Sequence, residues 1–471
     1  LFCAGLSGVF FYLFPVITKK KRRIFRKASK YLLVVLLVVL SVTFSGCAVV
    51  STDLATLMSP PKLTKEQQAI EKALSDALGG ADYTLSYPHQ GNYRSSFVQH
   101  TFDSSGTKIV FAFYNLSPKA KSGTHVMVLR QINGTWKKAC DISGDGNEVE
   151  QLIFGNFDGK NADEFAIGWT SFTSTDLLLN VYSLNGRKYN HIYKDTYTEM
   201  LPVDMTGSAR NDLLLLKLNN TEKKASAALV SSYTGTLKEV ATTPLDGTAT
   251  GYQGLYQTTV DGSPAVLIDT KKGESAIVTE MVLWKNKTLL SPLYDSTAQT
   301  AFPQTMREYP IGCEDIDGDG NYEIPEPTPF PGYKEGDESY ADKVWNVHWY
   351  AWTNGSLQLK TSTVVNSVKS YFFILPSLWE NGQNITVKRV DGESDWAFYE
   401  WDDTQKQTGK HLFDLVVRAE DKLGSDPMPS NAIKLAQSGG NVYFYQPSSE
   451  GPSSPLFLTG DQVKAQFRIS N

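Results

Sequence analysis

A chain of 471 residues with 41% hydrophobic and 12% aromatic content has material for a large core, which excludes the disordered and fibrous classes. Its net charge of −5 is unevenly spread: residues 1–46 hold eight Lys/Arg and no acid, leaving 37 bases against 50 acids, a net of −13. A body that acidic, without a Lys/Arg stripe, argues against nucleic acid as a partner, because phosphate neutralisation supplies most of that affinity.

The chain opens with an apolar stretch, residues 1–18, and no Met precedes Met58. The expectation is a misassigned start nearer the lysines; the alternative is a two-helix hairpin. Lys19, Lys20, Lys21, Arg22, Arg23, Arg26, Lys27 and Lys30 then form a basic run, followed by the apolar stretch Tyr31 to Leu40 and by small residues up to Cys47. Basic region, apolar region and small-residue site stand in the order of a secretory leader. Phe44-Ser45-Gly46-Cys47, with Phe44 where Leu is usual, resembles the lipobox of bacterial lipoproteins. That resemblance implies a diacylglyceryl anchor on Cys47, the membrane as a partner, and a body at the extracytoplasmic face. An uncleaved span from Tyr31 to Val50 is the other reading; it is long enough to cross ~30 Å of hydrocarbon and leaves the body on the same side.

A polar tether, residues 47–63, leads to a helix expected over 64–80. Thr64 and Gln67 have capping-box spacing, Ile70, Ala73, Leu74, Ala77 and Leu78 share one face, and Gly79-Gly80 ends the pattern. From 81 to 401 the pattern is short alternating strands, as in Ile109 to Tyr114 and Val344 to Tyr350. An Asp-containing turn followed by an apolar strand recurs at Asp103, Asp158, Asp204, Asp261, Asp317 and Asp391, in steps of 55, 46, 57, 56 and 74 residues. Asn-Gly turns such as Asn133-Gly134, Asn185-Gly186 and Asn354-Gly355 fall between these markers. Stacked units with room for about four strands predict an all-β fold, a β-propeller of six or seven blades. Residues 402–471 read as a C-terminal segment that closes or caps it, with a short helix around Thr459, Asp461 and Val463.

Gly155 to Gly168 and Glu314 to Ile324 resemble the repeats of FG-GAP/VCBS-type β-propellers of bacterial surface proteins and integrins. The likeness spans roughly residues 95 to 400 and is specific in those two units. It implies a platform for binding rather than a reaction type.

Asp315, Asp317, Asp319 and Glu323, with the carbonyl of Asn321, are the candidate ligands of a structural Ca²⁺. Acids at alternate positions point into one loop, Gly320 permits the turn, and hard oxygen donors suit this ion. Asp158, Asp163 and Glu164 make a weaker second candidate. No HExxH, GxSxG, Walker loop or CxxC occurs, and no catalytic residue is assigned. The six histidines lie far apart in sequence. Cys140 and Cys313 are read either as one disulfide or as buried thiols. The expected function is a membrane-anchored, non-catalytic binding or scaffold module whose partner is a surface protein or glycan. The alternative is a carbohydrate-binding or glycan-hydrolysing propeller with a carboxylate pair; for carbohydrate, the rings of Trp345, Trp349, Tyr350, Trp352, Trp379, Trp396, Tyr399 and Trp401 are the candidate platform.

Overall fold

In the computed structural model, residues 64–470 are described apart from 103–105, 117–122, 161–162, 334–342, 392–393, 426–427 and 429. The leader, Cys47 and the tether therefore lie outside the described residues, as does the side chain of Asp103. Among the described residues no helix is long and apolar enough to cross a membrane.

Helix α1, Lys65–Ala77, begins where the capping box places it: the Thr64 N–H donates to Gln67 Oε1 at 2.9 Å and the Gln67 N–H donates to Thr64 Oγ1 at 3.2 Å. Gly79 and Gly80, at φ +64° and +80°, stop it. Its face of Ile70 and Leu74 is buried, with Ala73, Ala77 and Leu78 packed beside it.

The remainder is all-β. Among the described residues, six antiparallel sheets of four or five strands follow one another along the chain, with one small two-stranded hairpin, 294–301, inserted before the last strand of the fourth. Sheet 1 spans 83–143, sheet 2 149–197, sheet 3 199–245 and sheet 4 251–307; sheet 5 starts with Ile324–Pro329 and sheet 6 with Ile385–Asp391. Hairpin turns are set by residues that accept positive φ. Asn133-Gly134 (49° and 75°), Asp261-Gly262 (48° and 73°) and Asn354-Gly355 (53° and 80°) each leave two residues between paired strands.

Consecutive sheets share cores, and the strand Asp212–Asn219 shows how. Leu213 and Leu215 face sheet 2, whereas Leu214 and Leu216 face sheet 4. A strand buried on both faces needs a continuous apolar run, which is why Leu213 to Leu216 do not alternate with polar residues. Further cores join sheets 1 and 2, 4 and 5, and 5 and 6. The other face of sheet 1 packs Val110, Ala112, Met127 and Leu129 under α1. Among the described residues no shared core joins sheet 1 to sheet 6.

Two expectations need correction, and one open alternative is resolved. A boundary at 402 cuts through sheet 6, whose strands Asp395–Asp402 and Gln407–Ala419 pair directly and which continues to Asn441–Pro447. The C-terminal segment holds the expected helix, α2, Gly460–Gln466, capped by Thr459 and Gln462. The strand after it, Phe467–Ile469, pairs with Tyr371–Ile374 in sheet 5, so it widens that sheet rather than linking the first and last. Cys140 and Cys313 are both free and buried, in the cores of sheets 1 and 2 and of sheets 4 and 5 respectively, which excludes the disulfide.

Candidate functional site

Five of the Asp markers lie in described residues: Asp158, Asp204, Asp261 and Asp391 stand where the first strand of a sheet passes to the second, and Asp317 precedes Ile324–Pro329, the first strand of sheet 5. Two of these connections are tight. Asp261 opens a two-residue turn and accepts the Asn354 N–H, and Asp391 pairs with Asp395 across a short link. Three are longer loops that match residue for residue. Gly155, Val203 and Glu314 pair with Glu164, Asp212 and Glu323 across each loop, and the third position, Phe157, Met205 or Ile316, is buried as a plug.

In all three loops the closing acid turns inward and holds backbone N–H groups. Glu164 Oε2 accepts from Phe157 at 2.6 Å and Asp158 at 2.9 Å. Asp212 Oδ2 accepts from the Thr206 N–H and hydroxyl, both at 2.9 Å. Glu323 Oε2 accepts from Ile316 at 3.2 Å. Gly159, Gly207 and Gly318 occupy the fifth position at φ +73°, +66° and +77°, where a Cβ would strain the turn.

The loops differ in what meets the negative charge. In sheet 2, Lys160 Nζ lies 3.0 Å from Asp158 Oδ2, and burial together with Asp158 raises the Glu164 carboxyl. The weaker metal candidate is thus filled by a lysine, and its third member, Asp163, turns to Arg130 at 3.6 Å. In sheet 3, Thr206 and Ser208 hydroxyls bond each other at 3.0 Å where carboxylates would stand.

In sheet 5 the acids are retained. One oxygen each from Asp315, Asp317 and Glu323 lies within 4.8 Å of the others. Asp315 also gathers the N–H groups of Gly318, Asp319 and Gly320 at 2.9 to 3.0 Å. Glu323 is 1% exposed, and its Oε1 has no protein partner. Burial, opposed by the Ile316 N–H and reinforced by Asp317 and Asp319, pushes its carboxyl up to about 7. Two further candidates stand apart from that group. Asp319 Oδ1 accepts from the backbone and side chain of Asn321, and Asn321 Oδ1 accepts the Thr259 N–H at 3.1 Å, tying the loop to sheet 4.

Sequence inspection misses Lys360. From the third strand of the sheet it places Nζ 3.2 Å from Asp317 Oδ2 and 3.5 Å from Asp319 Oδ2. Alternation along Ser356–Asn366 marks it as facing out, but nothing in the order of residues brings it to a loop some forty positions earlier.

Glu164 Oε1 and Asp212 Oδ1 in the counterpart loops are likewise buried without a partner, whereas the buried Arg307 and Asp269 are fully engaged. Arg307 donates to Asp269 Oδ1 at 2.8 Å, to Thr279 Oγ1 at 2.8 Å and to the Ile311 carbonyl at 2.6 Å, while Asp269 Oδ2 accepts the Cys313 N–H at 3.0 Å. The histidines are equally engaged: His348 sits between Thr328 and Ser362 hydroxyls, His411 on Asp414, and His100 stacks on Phe154. The proposed aromatic platform is largely core. Trp349, Trp379 and Trp396 are buried, and Trp345, Tyr350, Trp352, Tyr399 and Trp401 are half-buried.

One open cleft of about 480 Å³ lies where sheets 2 and 3 diverge beyond their shared core. Thr196, Thr198, Asn219, Ser226 and Thr243 line it, with Asp176 and Glu222 at the rim.

No protein-family model matches the sequence, and no curated protein matches it. Solved structures give weak likenesses. An exo-β-1,3-galactanase from Phanerochaete chrysosporium is 12% identical, covering 79% of this chain and 91% of its own, at a TM-score of 0.25. A rhamnogalacturonan lyase from Bacillus licheniformis is 10% identical, covering 77% and 91%, at 0.28. AofleA from Arthrobotrys oligospora is 13% identical, covering 72% and 86%, at 0.25. At these scores the likenesses carry no argument about fold or activity.

Proposed function

We propose that this chain is a lipid-anchored, extracytoplasmic binding module in which six sheets serve as the blades of a β-propeller and the loop of sheet 5 holds a structural Ca²⁺. The observation that carries the ion is the meeting of Asp315, Asp317 and Glu323, one oxygen each within 4.8 Å of the others, with Glu323 Oε1 buried and unpartnered; Glu164 Oε1 and Asp212 Oδ1 are unpartnered too, but their loops carry a lysine or hydroxyls where sheet 5 keeps carboxylates. An orphaned buried acceptor is costly, and a hard cation with several oxygen ligands removes that cost. Asp315, Asp317 and Glu323 would supply carboxylates, and Asp319 and Asn321 would join after small rotations.

The anchor rests on the basic run and on Ser45-Gly46-Cys47. Replacing Cys47 with Ala should leave the precursor unprocessed and unlabelled by a clickable fatty acid; normal maturation with label retained would overturn the anchor.

A glycan-hydrolysing reading finds less support. The carboxylates that burial holds near 7 are Glu164, Glu280 and Glu323; none borders the cleft between sheets 2 and 3, and the smaller pocket that Glu323 lines, with Asp261 and Asp319, is the loop of sheet 5 itself.

Thermal melting of the full chain tests the ion. Extracellular modules of this kind bind Ca²⁺ at about 10⁻⁴ to 10⁻³ M. At 10 mM the site should then add about 1.4 to 2.7 kcal/mol, a rise of a few degrees over a chelator control. Asp317→Ala should abolish the difference. Equal melting temperatures for wild type with Ca²⁺ and with chelator would remove the ion from the proposal.

A further inference from the structure

The cleft between sheets 2 and 3 mixes side chains that the fold uses, such as Thr198, Lys217 and Thr242, with polar groups that it leaves without partners. Sheet 2 ends in Lys188–Tyr197 and sheet 3 begins at Glu199, so the chain bends sharply there, and the two sheets splay outward past the core of Leu213, Leu215 and Ala228. The hydroxyls of Thr196, Ser226 and Thr243 and the carboxylate of Asp176 make no hydrogen bond with the described residues. Asn219 uses only its Oδ1, which accepts the Glu222 N–H at 2.9 Å, so its amide donors remain directed to solvent.

The charges select against several ligand classes. Lys217 is held by both oxygens of Asp195 at 2.9 Å, and the exposed Lys224 pairs with Glu222 at 3.0 Å, so each lysine is balanced by a carboxylate and the cleft carries no surplus positive charge for an anion. Asp176 and Glu222 form no metal-ligating group with a third acid, whereas the loop of sheet 5 does. The exposed lining is more apolar than polar, with Leu218, Ala225 and Pro244 between the hydroxyls, which suits a ligand that has C–H faces as well as polar edges. What fits free hydroxyls, an amide and one carboxylate is a neutral molecule whose own hydroxyls both donate and accept. A volume of about 480 Å³ is within the range of small-molecule sites.

We infer that this cleft binds a neutral, polyhydroxylated ligand, a short oligosaccharide, with Thr196, Asn219, Ser226 and Thr243 as hydrogen-bonding partners and Asp176 accepting from a sugar hydroxyl. The inference deepens the reading of the body as a binding module and names its ligand class. It does not depend on the loop of sheet 5, and it places carbohydrate away from the aromatic residues 345–401.

The test is an array of neutral hexo- and pento-oligosaccharides beside acidic and sulfated ones, probed with the full chain and followed by calorimetric titration of the strongest neutral hit. Wild type should bind a neutral oligosaccharide in preference to charged ones. Asp176→Asn and Thr196→Val, both at exposed positions, should keep the wild-type circular dichroism spectrum and weaken binding about tenfold each. Asp317→Ala should change it less than twofold, which separates this site from the proposed ion loop. Absence of any hit, preference for acidic or sulfated glycans, or unaltered affinity in both cleft variants would overturn the assignment.

Discussion

Lys160 and Lys360 solve one electrostatic problem from different places in the chain. In sheet 2 the lysine belongs to the loop itself, whereas in sheet 5 it arrives from a neighbouring strand; in both loops one oxygen of the closing acid stays buried without a partner. Lys360 is therefore an internal counter-ion to Asp317 and Asp319, one that the proposed Ca²⁺ would have to displace. One positive charge some 3 to 4 Å from the ligands is worth about 1 to 4 kcal/mol at the effective dielectric of a protein surface. Lys360→Met should raise Ca²⁺ affinity at least tenfold in a calorimetric titration; unchanged affinity would show that the lysine does not compete. The sequence makes the acids legible, since alternate positions 315, 317 and 319 followed by Glu323 define a loop by spacing alone. The competitor was not legible, because strand pairing rather than sequence distance sets its position.

At the scale of elements, legibility follows locality. Capping boxes at Thr64/Gln67 and Thr459/Gln462 and hairpins at Asn133-Gly134 and Asn354-Gly355 are chemistry within four residues, and each forms as the sequence indicates. Four of the acidic markers, Asp158, Asp204, Asp261 and Asp391, also share a topological position, although Asp261 opens a tight turn and not a loop. What sequence does not carry is partner choice among strands. The chain end joins sheet 5, the markers' varied spacing conceals the sheet count, and the cleft exists only because two outer sheet ends diverge. Helix α1 illustrates the same limit: its apolar stripe is plain, but its target, the outer face of sheet 1, is not. Leu74 is fully buried there. Leu74→Ala should cost about 2 to 5 kcal/mol by leaving a cavity over Val110 and Met127, while Glu71→Ala, on the same helix but half-buried, should cost under 0.5. Equal, small losses in denaturant melts would mean that the helix does not brace the sheet.

For the whole molecule, buried carboxyls set the dependence of stability on pH. Glu280 accepts the Asp246 N–H at 2.7 Å and the Thr270 hydroxyl at 2.9 Å, yet burial pushes it up to about 7. Glu164 is raised likewise by burial and by Asp158. An unfolded glutamate titrates near 4.3, so between about 4.3 and 7 the native state holds protons that the unfolded chain has lost. These groups therefore contribute stability that is complete below about pH 4 and is lost as the pH rises through 7, by up to about 3 kcal/mol each. Asp246 and Asp145 act in the opposite sense. Despite desolvation, bonds from Lys272 and Thr248 to Asp246 and from Lys194 and Asn180 to Asp145 hold both below the usual range. Their contribution is present above about pH 4 and lost on further acidification. The melting temperature in metal-free buffer should consequently peak between about pH 4.5 and 6 and fall toward pH 8. Glu280→Gln keeps an acceptor for the Asp246 N–H but cannot titrate, so it should flatten the upper limb. A wild-type melting temperature that stays level or climbs from pH 5 to 8 would show that these glutamates are ionised in the native fold and that water reaches them.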